Sequence, residues 1–529
     1  MSAGTGTATG ALLLVRQNLR RDRVVVLVVL VLMAVMAYAS AASTTTIYHS
    51  TADRVAAAEA IDAQPALRAL YGRILDVHAL GEVAMTKMTV TYAAFAGALF
   101  IALVRRHTRT EEESGRAELV GAAAIGRDAP MAAAVLEASA VAAVLAAVVS
   151  AMCLLGGLPL LGSLWFGVIW LGTGLVATGI GAVACQLSAS ARSCAGIAAA
   201  LMGALFVVRA VGDASSSIGW LVWLSPLGWN TQLRAWSGTR PWVAVLYLVA
   251  SAVLLAAAQA MRSGRDLGSG PLAARPGRVD GRPSFASPYA LVLRGQLVAL
   301  TLWSTACLAL GILFGLITPG LQDLLDTVDM QEVLDHLGGA LIAAVVSVAG
   351  IAVTCFGITV TTHAADDETS GRVELALSTA ASRGTWWRAT AATALGGVAW
   401  LLLVTGVGLW VGLLLGGFEG DGGRSWTALV AALAWVPAAW VVLGVTLCCH
   451  AWSAHRAALG WAGLGLCVFL TLAGDLLHLP RLVIHLSPYS SVPAYPADAW
   501  RWLPFVVLTL VAALLAFGAW LRFERRDIG

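Results

Sequence analysis

At 529 residues, 59% hydrophobic, 12% charged and with a formal net charge of +3, the chain is far too apolar for a soluble globular protein. Strand-type alternation over ten-residue segments is absent, so helices are left as the membrane-spanning element. The expected fold class is an all-α polytopic membrane protein, with no nucleic-acid partner.

An apolar helix needs about 20 residues to cross a hydrocarbon core of about 30 Å. Runs of that kind lie near residues 24–43, 86–104, 130–155, 159–186, 194–211, 241–261, 297–318, 338–360, 386–416, 427–449, 457–474 and 502–521, which gives about twelve spans. The first follows Arg16, Arg20, Arg21 and Arg23, and its "RRDRVVVLVVLVLMAVMAYASAAS" has the parts of a signal peptide. Its apolar run exceeds a typical signal core, so it is expected to persist as a span. Putting both termini and every second loop in the cytoplasm places about 23 of the 33 basic residues inside, the favoured orientation. Tyr48 to Glu82 then reads as an extracytoplasmic helical segment.

After the second span comes "HTRTEEESGRAEL", His107 to Leu119, a charged run in a chain that avoids charge. Thr110 and Glu113 make a T-x-x-E capping box, and acids crowd a first helical turn where the dipole favours them. A short surface helix with one charged and one apolar face is expected.

The third span carries Glu137 about two turns in, and a carboxyl in hydrocarbon marks a substrate or cation path or a buried structural hydrogen bond. Lys87 and Arg209 lie near outer ends, where their side chains reach the interface. The glycines of "GTGLVATGIGAV", Gly172 to Val183, mimic a nucleotide fingerprint, but no strand precedes them and helix packing is expected. Trp165, Trp170, Trp303, Trp400, Trp410, Trp435 and Trp440 are candidates for the wall of an amphipathic-substrate cavity, or for interface anchors.

The segment "GDASSSIGWLVWLSPLGW", from Gly212, brings Ser225 and Pro226 into a short re-entrant or outer helix, a candidate outer gate. A Gly-, Pro- and Arg-rich stretch over 263–286 has no plausible core and reads as a cytoplasmic linker.

Beyond it the chain repeats itself. "LVLRGQL" at Leu291 to Leu297 answers "LVRQNL" at Leu14 to Leu19, and "GDLLHLPRLVIHLSPYSS" answers the Ser-Pro segment, with Ser487 and Pro488 as the second gate pair. "DLLDTVDMQEVLDHL", Asp323 to Leu337, reads as an acidic amphipathic helix on the outer side. Above all, "HAADDETSGRVEL", His363 to Leu375, repeats the charged run at a shift of 256, with Asp366, Asp367 and Glu368 as its acids. The chain is therefore two six-span halves, 1–262 and 287–529, each oriented alike.

The eight cysteines lie in spans or at their ends and read as free thiols. "CCHAWSAH", Cys448 to His455, fits no standard zinc spacing, and no metal site is expected. The only lysine, Lys87, is not part of a Gly-Lys-Ser/Thr loop, so no Walker A, no cofactor and no enzyme activity are expected in this chain. No Ser-His-Asp or paired-carboxylate constellation stands out.

A duplicated cytoplasmic helix suits two equivalent partner subunits better than contact with lipid phosphates alone, which an acid-rich face resists. The run Glu111-Glu112-x-x-Gly115-Arg116-x-Glu118-Leu119, between the second and third spans of a six-span unit, resembles the coupling-helix region of ABC-2 type permeases. The likeness extends along the chain and is greatest to actinobacterial twelve-span exporters of polyketide antibiotics, the tetronasin-type membrane subunits. It implies two fused ABCG-like, type V exporter-like halves in the cytoplasmic membrane, docking a nucleotide-binding ABC ATPase, as a homodimer that binds ATP and Mg. The docking set it implies is Glu111, Glu112, Glu113, Gly115, Arg116, Glu118 and Leu119, with Asp366, Asp367, Glu368, Gly371, Arg372, Glu374 and Leu375. The implied cargo is a hydrophobic drug or antibiotic. A lipid or cell-envelope cargo, or an ion-coupled secondary transporter using Glu137, are the alternatives. The Arg-, Ala- and Gly-rich composition fits an actinobacterial source.

Overall fold

The structure, a computed structural model, describes residues 7–47, a few positions of 51–70, then 71–123, 125–214, 218–264, 287–325, 331–416, 425–473, 480–493, 495 and 500–526. Every regular element among the described residues is helical. Two compact units, Met1–Gly277 and Arg278–Gly529, divide the chain within the 263–286 segment, most of which lies outside the described residues.

Among the described residues eleven helices are long and apolar enough to cross a membrane, six in the first unit and five in the second. The run expected over 457–474 is instead the 15-residue helix Leu459–Ala473, entered through a 3-10 turn at Ala454–Ala458, with 474–479 outside the described residues. The acidic outer helix expected over 323–337 is not a separate element in its described parts. Those parts extend the flanking helices Pro288–Leu325 and Gln331–Thr369, and 326–330 lie outside the described residues. The outer segment expected over 48–82 is described chiefly from Leu70 onward, where helix Leu80–Lys87 starts and runs through a π-helical stretch, Met88–Tyr92, into Ala93–His107.

In the first unit the helix Leu160–Leu187 is the central post, packed by Ala129–Leu155, Ala93–His107 and Trp242–Ser263. Its glycines are contact surface: a Cβ on Gly174 would stand 2.7 Å from the Ala142 Cβ and 3.1 Å from the Phe100 ring. With no hydrophobic drive between helices in lipid, close backbone approach and dispersion hold such bundles together. Prolines at the start of Ala129–Leu155, Pro226–Gln232 and Val436–Trp452 fall where a missing N–H costs nothing.

The second unit makes its tightest crossing between Pro288–Leu325 and Arg383–Leu415. A Cβ on Gly311 would lie 2.7 Å from the Thr405 carbonyl oxygen, and one on Gly408 2.7 Å from that of Leu308. Both helices carry a glycine again four residues on, Gly315 and Gly412, so the backbones meet along a full turn. Gly408→Leu is expected to force this pair apart and to destabilise the unit by about 3 kcal/mol or more. A detergent melting curve and the monodisperse peak in size-exclusion chromatography check it. Gly463→Leu, where a Cβ meets nothing within 4 Å, should leave both unchanged.

Candidate functional site

The repeated charged run is built differently in the two units. In the first, helix Ala93–His107 breaks at Thr108 (φ −121°, ψ −86°), whose hydroxyl donates to the Val104 carbonyl at 2.6 Å. A five-residue helix, Arg109–Glu113, follows. Gly115 at φ +71° then turns the chain into a second short helix, Arg116–Gly121. The expected Thr110/Glu113 capping box is not formed, because the helix starts two residues earlier, with Thr108 at its N-cap, and Glu113 is engaged elsewhere. Its Oε1 accepts from the Ala191 backbone N–H at 2.8 Å, capping the start of helix Ala191–Ala214 where the dipole favours an anion.

The other acids are also committed inside the unit. Glu111 pairs with Arg21, and Glu112 Oε2 lies 2.7 Å from Arg109 Nη1. Arg109, which the sequence reading passed over, is fully buried and donates from Nε and Nη2 to the Cys185 carbonyl at 3.0 and 2.6 Å. That carbonyl lies in the last turn of Leu160–Leu187, so a guanidinium meets the negative end of a helix and ties the motif to the central post.

In the second unit helix Gln331–Thr369 runs unbroken through the matching stretch, and Ala365 stands where the first unit has Arg109. The missing arginine is supplied from the end of the chain. Arg526 pairs with Glu368 and donates from Nη1 to the His450 carbonyl at 2.8 Å, while His450 Nε2 lies 3.3 Å from Glu368 Oε2. Burial pulls the Arg526 guanidinium below its ordinary value, a shift that leaves an arginine charged. Asp367 pairs with Arg372 at 2.9 Å, and Asp366 is exposed. Gly371, at φ +73°, turns the chain as Gly115 does, into helix Arg372–Leu377. A Cβ at either glycine would meet nothing within 4 Å, so backbone conformation rather than space calls for glycine there.

What both units expose is therefore narrower than the acid-rich run, and in the second unit it includes Arg372 in its surface pair with Asp367. Arg116, Glu118 and Leu119 in one, and Arg372, Glu374 and Leu375 in the other, are exposed, with the two leucines 77% and 74% accessible. The second helix is anchored from behind by Val373, buried against Trp386 and Trp387. An Arg, a Glu and a bare Leu at the same positions of two short helices make a paired surface of mixed charge and apolar contact.

The remaining candidates are placed as follows. Glu137 is fully buried beside His107, 3.5 Å from its Nε2, with Asp22 on the same imidazole. Trp170 is packed in the core edge-on to Phe166, and Trp165 is half-buried against the same core. Trp303 packs at the edge of the second unit's core, and Trp410 is 38% exposed with its Nε1 donating to Ser425 Oγ at 3.0 Å. None of these four tryptophans belongs to the 290 Å³ cavity of the first unit, whose walls include Asn18, His107, Glu111, Arg127 and Arg262.

Both serines of the Ser-Pro pairs are buried, as is Pro488, while Pro226 is half-buried. Ser225 Oγ caps helix Pro226–Gln232 by accepting from the Leu227 N–H at 3.3 Å. Asn230 in that helix donates to the Thr89 carbonyl at 2.7 Å and accepts from the Tyr247 hydroxyl at 2.6 Å. Ser487 donates to the Cys467 carbonyl at 3.0 Å, Pro488 starts a 3-10 turn, and Tyr489 donates to Thr354 Oγ1 at 2.8 Å. Arg209, expected to reach the interface, is instead buried in an ion pair of 3.0 Å with Asp213.

The family described as "Multidrug efflux system permease Rv1217c, C-terminal domain" matches residues 285–524. The multidrug efflux system permease protein Rv1217c of Mycobacterium tuberculosis, strain H37Rv, is 36% identical over 530 residues, covering 98% of this chain and 95% of its own length.

Proposed function

The chain belongs to the family of that multidrug efflux system permease, and we propose that it is the membrane-spanning subunit of an ATP-driven exporter of hydrophobic or amphipathic drugs. The motor is a separate nucleotide-binding ABC ATPase, a homodimer that binds ATP and Mg and takes one motif helix on each of its subunits. The observation that carries this reading is the pair of exposed Arg-x-Glu-Leu faces, each set by a glycine of positive φ on a short helix between the second and third spans of its unit. Two equal handles suit a twofold partner, and an ion-coupled carrier has no use for them.

On this reading both termini and both motif helices are cytoplasmic, and the Ser-Pro helices lie at the outer ends of the units as the gate. The likeness to tetronasin-type exporters favours polyketide-like compounds as cargo. A lipid or envelope component is the second reading, supported by the wide apolar outer surface of helix Ala11–Ile47, with Leu12 and Leu13 each more than 70% exposed.

Inverted membrane vesicles holding the permease with its ATPase test the proposal. Uptake of a lipophilic dye is expected to need both chains and hydrolysable ATP, and to persist when a protonophore collapses the proton gradient. Uptake driven by an imposed gradient without ATP would replace this reading with the ion-coupled one.

A further inference from the structure

We propose that Asp22, His107 and Glu137 form a binding site for a divalent transition-metal cation of the zinc class. The inference does not depend on the identity of the cargo or the motor. The three residues come from three different membrane helices, Ala11–Ile47, Ala93–His107 and Ala129–Leu155. They offer a ligand atom each, all within 4.8 Å of one another, and each residue is at most 2% exposed.

His107 Nε2 stands between the two carboxylates, 2.7 Å from Asp22 Oδ2 and 3.5 Å from Glu137 Oε2. Ligand atoms around a tetrahedral zinc-class cation stand roughly 3.4 Å apart, given bonds of about 2.0 to 2.2 Å. The His107–Glu137 distance already has that value, and the His107–Asp22 contact has only to open by less than an ångström as the cation replaces the Nε2 proton, which leaves to solvent.

Two further observations ask for a cation here. Both oxygens of the Glu137 carboxylate, though buried, meet no hydrogen-bond donor in suitable geometry among the described residues, even with the Asn18 amide beside them. A buried carboxylate without donors is costly unless a cation answers it. The surrounding charges do not: Arg106 Nη1 lies 2.8 Å from Asp22 Oδ1, and Glu111, 4.0 Å from His107 Nδ1, is answered by Arg21. That leaves one carboxylate in excess. Arg106 occupies only Oδ1 and leaves Oδ2 to the cation.

Access and dispensability complete the argument. His107 and Asn18 form part of the wall of the 290 Å³ cavity, which offers a path and room for a water as fourth ligand. The repeat shows that the bundle does not need these carboxylates in order to fold. When Arg16 is set on Arg294, Leu300 takes the place of Asp22, and the shift that sets His107 on His363 puts Thr393 at the place of Glu137. There the imidazole has the Gln296 amide at 3.2 Å from Nδ1, the partner of Asn18 in the repeat. The first unit alone has added two acids to a helix contact that a histidine and an amide maintain without them.

The test uses full-length, untagged permease in detergent with its partner, equilibrated with zinc or manganese, gel-filtered and measured by elemental mass spectrometry. About one equivalent of zinc per chain is expected, with a melting temperature raised by a few degrees and lowered again by EDTA. Asp22→Asn, His107→Gln and Glu137→Gln should each cut the bound zinc at least fivefold, and Glu59→Gln, at an exposed position outside the cluster and the docking faces, should leave it unchanged. Background metal in the wild type, or undiminished zinc in an Asp22→Asn/Glu137→Gln double variant, overturns the site. If the variants fail to fold, the wild type's metal content and its EDTA-sensitive melting decide by themselves.

Discussion

Replacing Leu119 and Leu375 together by Asp is expected to abolish co-purification of the ATPase and drug export, while the permease still folds and reaches the membrane. Both side chains stand about three-quarters bare on short helices, so the substitution removes nothing from either core. In a docked complex each would bury an apolar side chain worth about 1.5–3 kcal/mol, and an aspartate there adds a desolvated charge. Either single variant should weaken the partner's binding roughly tenfold to hundredfold and leave partial transport, because the other handle still holds. Affinity pulldown with quantified ATPase, beside drug accumulation in cells, separates the single from the double variants. Wild-type pulldown and wild-type export in the double variant would remove these helices from the coupling role.

The same experiment on Glu112 and Glu368, the more obvious choice from the sequence, would not be clean. Glu112 is held by buried Arg109, and Glu368 by Arg526 and His450, so reversing either charge breaks the unit from within. A loss of ATPase binding there would report misfolding as readily as docking.

The contrast shows what was legible. Hydropathy over twenty residues is a local property, so the helical class and most span positions follow from it, and the 256-residue repeat is visible as plain identity. The leucines and glycines of the motif carry their meaning in the same way, through exposure and φ. Arg109 does not, because its partner is a backbone carbonyl 76 residues away that no sequence pattern marks. The capping box was misread for a related reason. T-x-x-E describes what Thr110 and Glu113 can do for each other, and the Ala191 N–H, 78 residues on, competes successfully for the glutamate. The cluster around Glu137 draws on positions 22, 107 and 137, so single-span reasoning found one acid and missed its neighbours.

Arg109→Ala is the second large effect, and it tests whether the first unit's motif is fastened by this one side chain. The guanidinium is fully buried, so its loss leaves the Glu112 carboxylate, whose side chain is 7% exposed, without its cation, and returns the Cys185 carbonyl to an unsatisfied helix end. Removing one partner of a buried pair costs about 3–5 kcal/mol, most of it the stranded charge. A denaturant midpoint measured on the purified permease should fall accordingly. Adding Glu112→Gln should recover part of the loss, since the stranded charge goes with it. Arg109→Lys should fail to rescue, because one ammonium cannot reproduce a fork that serves a carbonyl and a carboxylate at once. The equivalent test in the second unit, Arg526→Ala, should cost less: that side chain is 15% exposed, so water can reach Glu368 in its place. Comparable losses from both arginines would mean that the two units fasten their motifs equally, and that the break at Thr108 has no mechanical consequence.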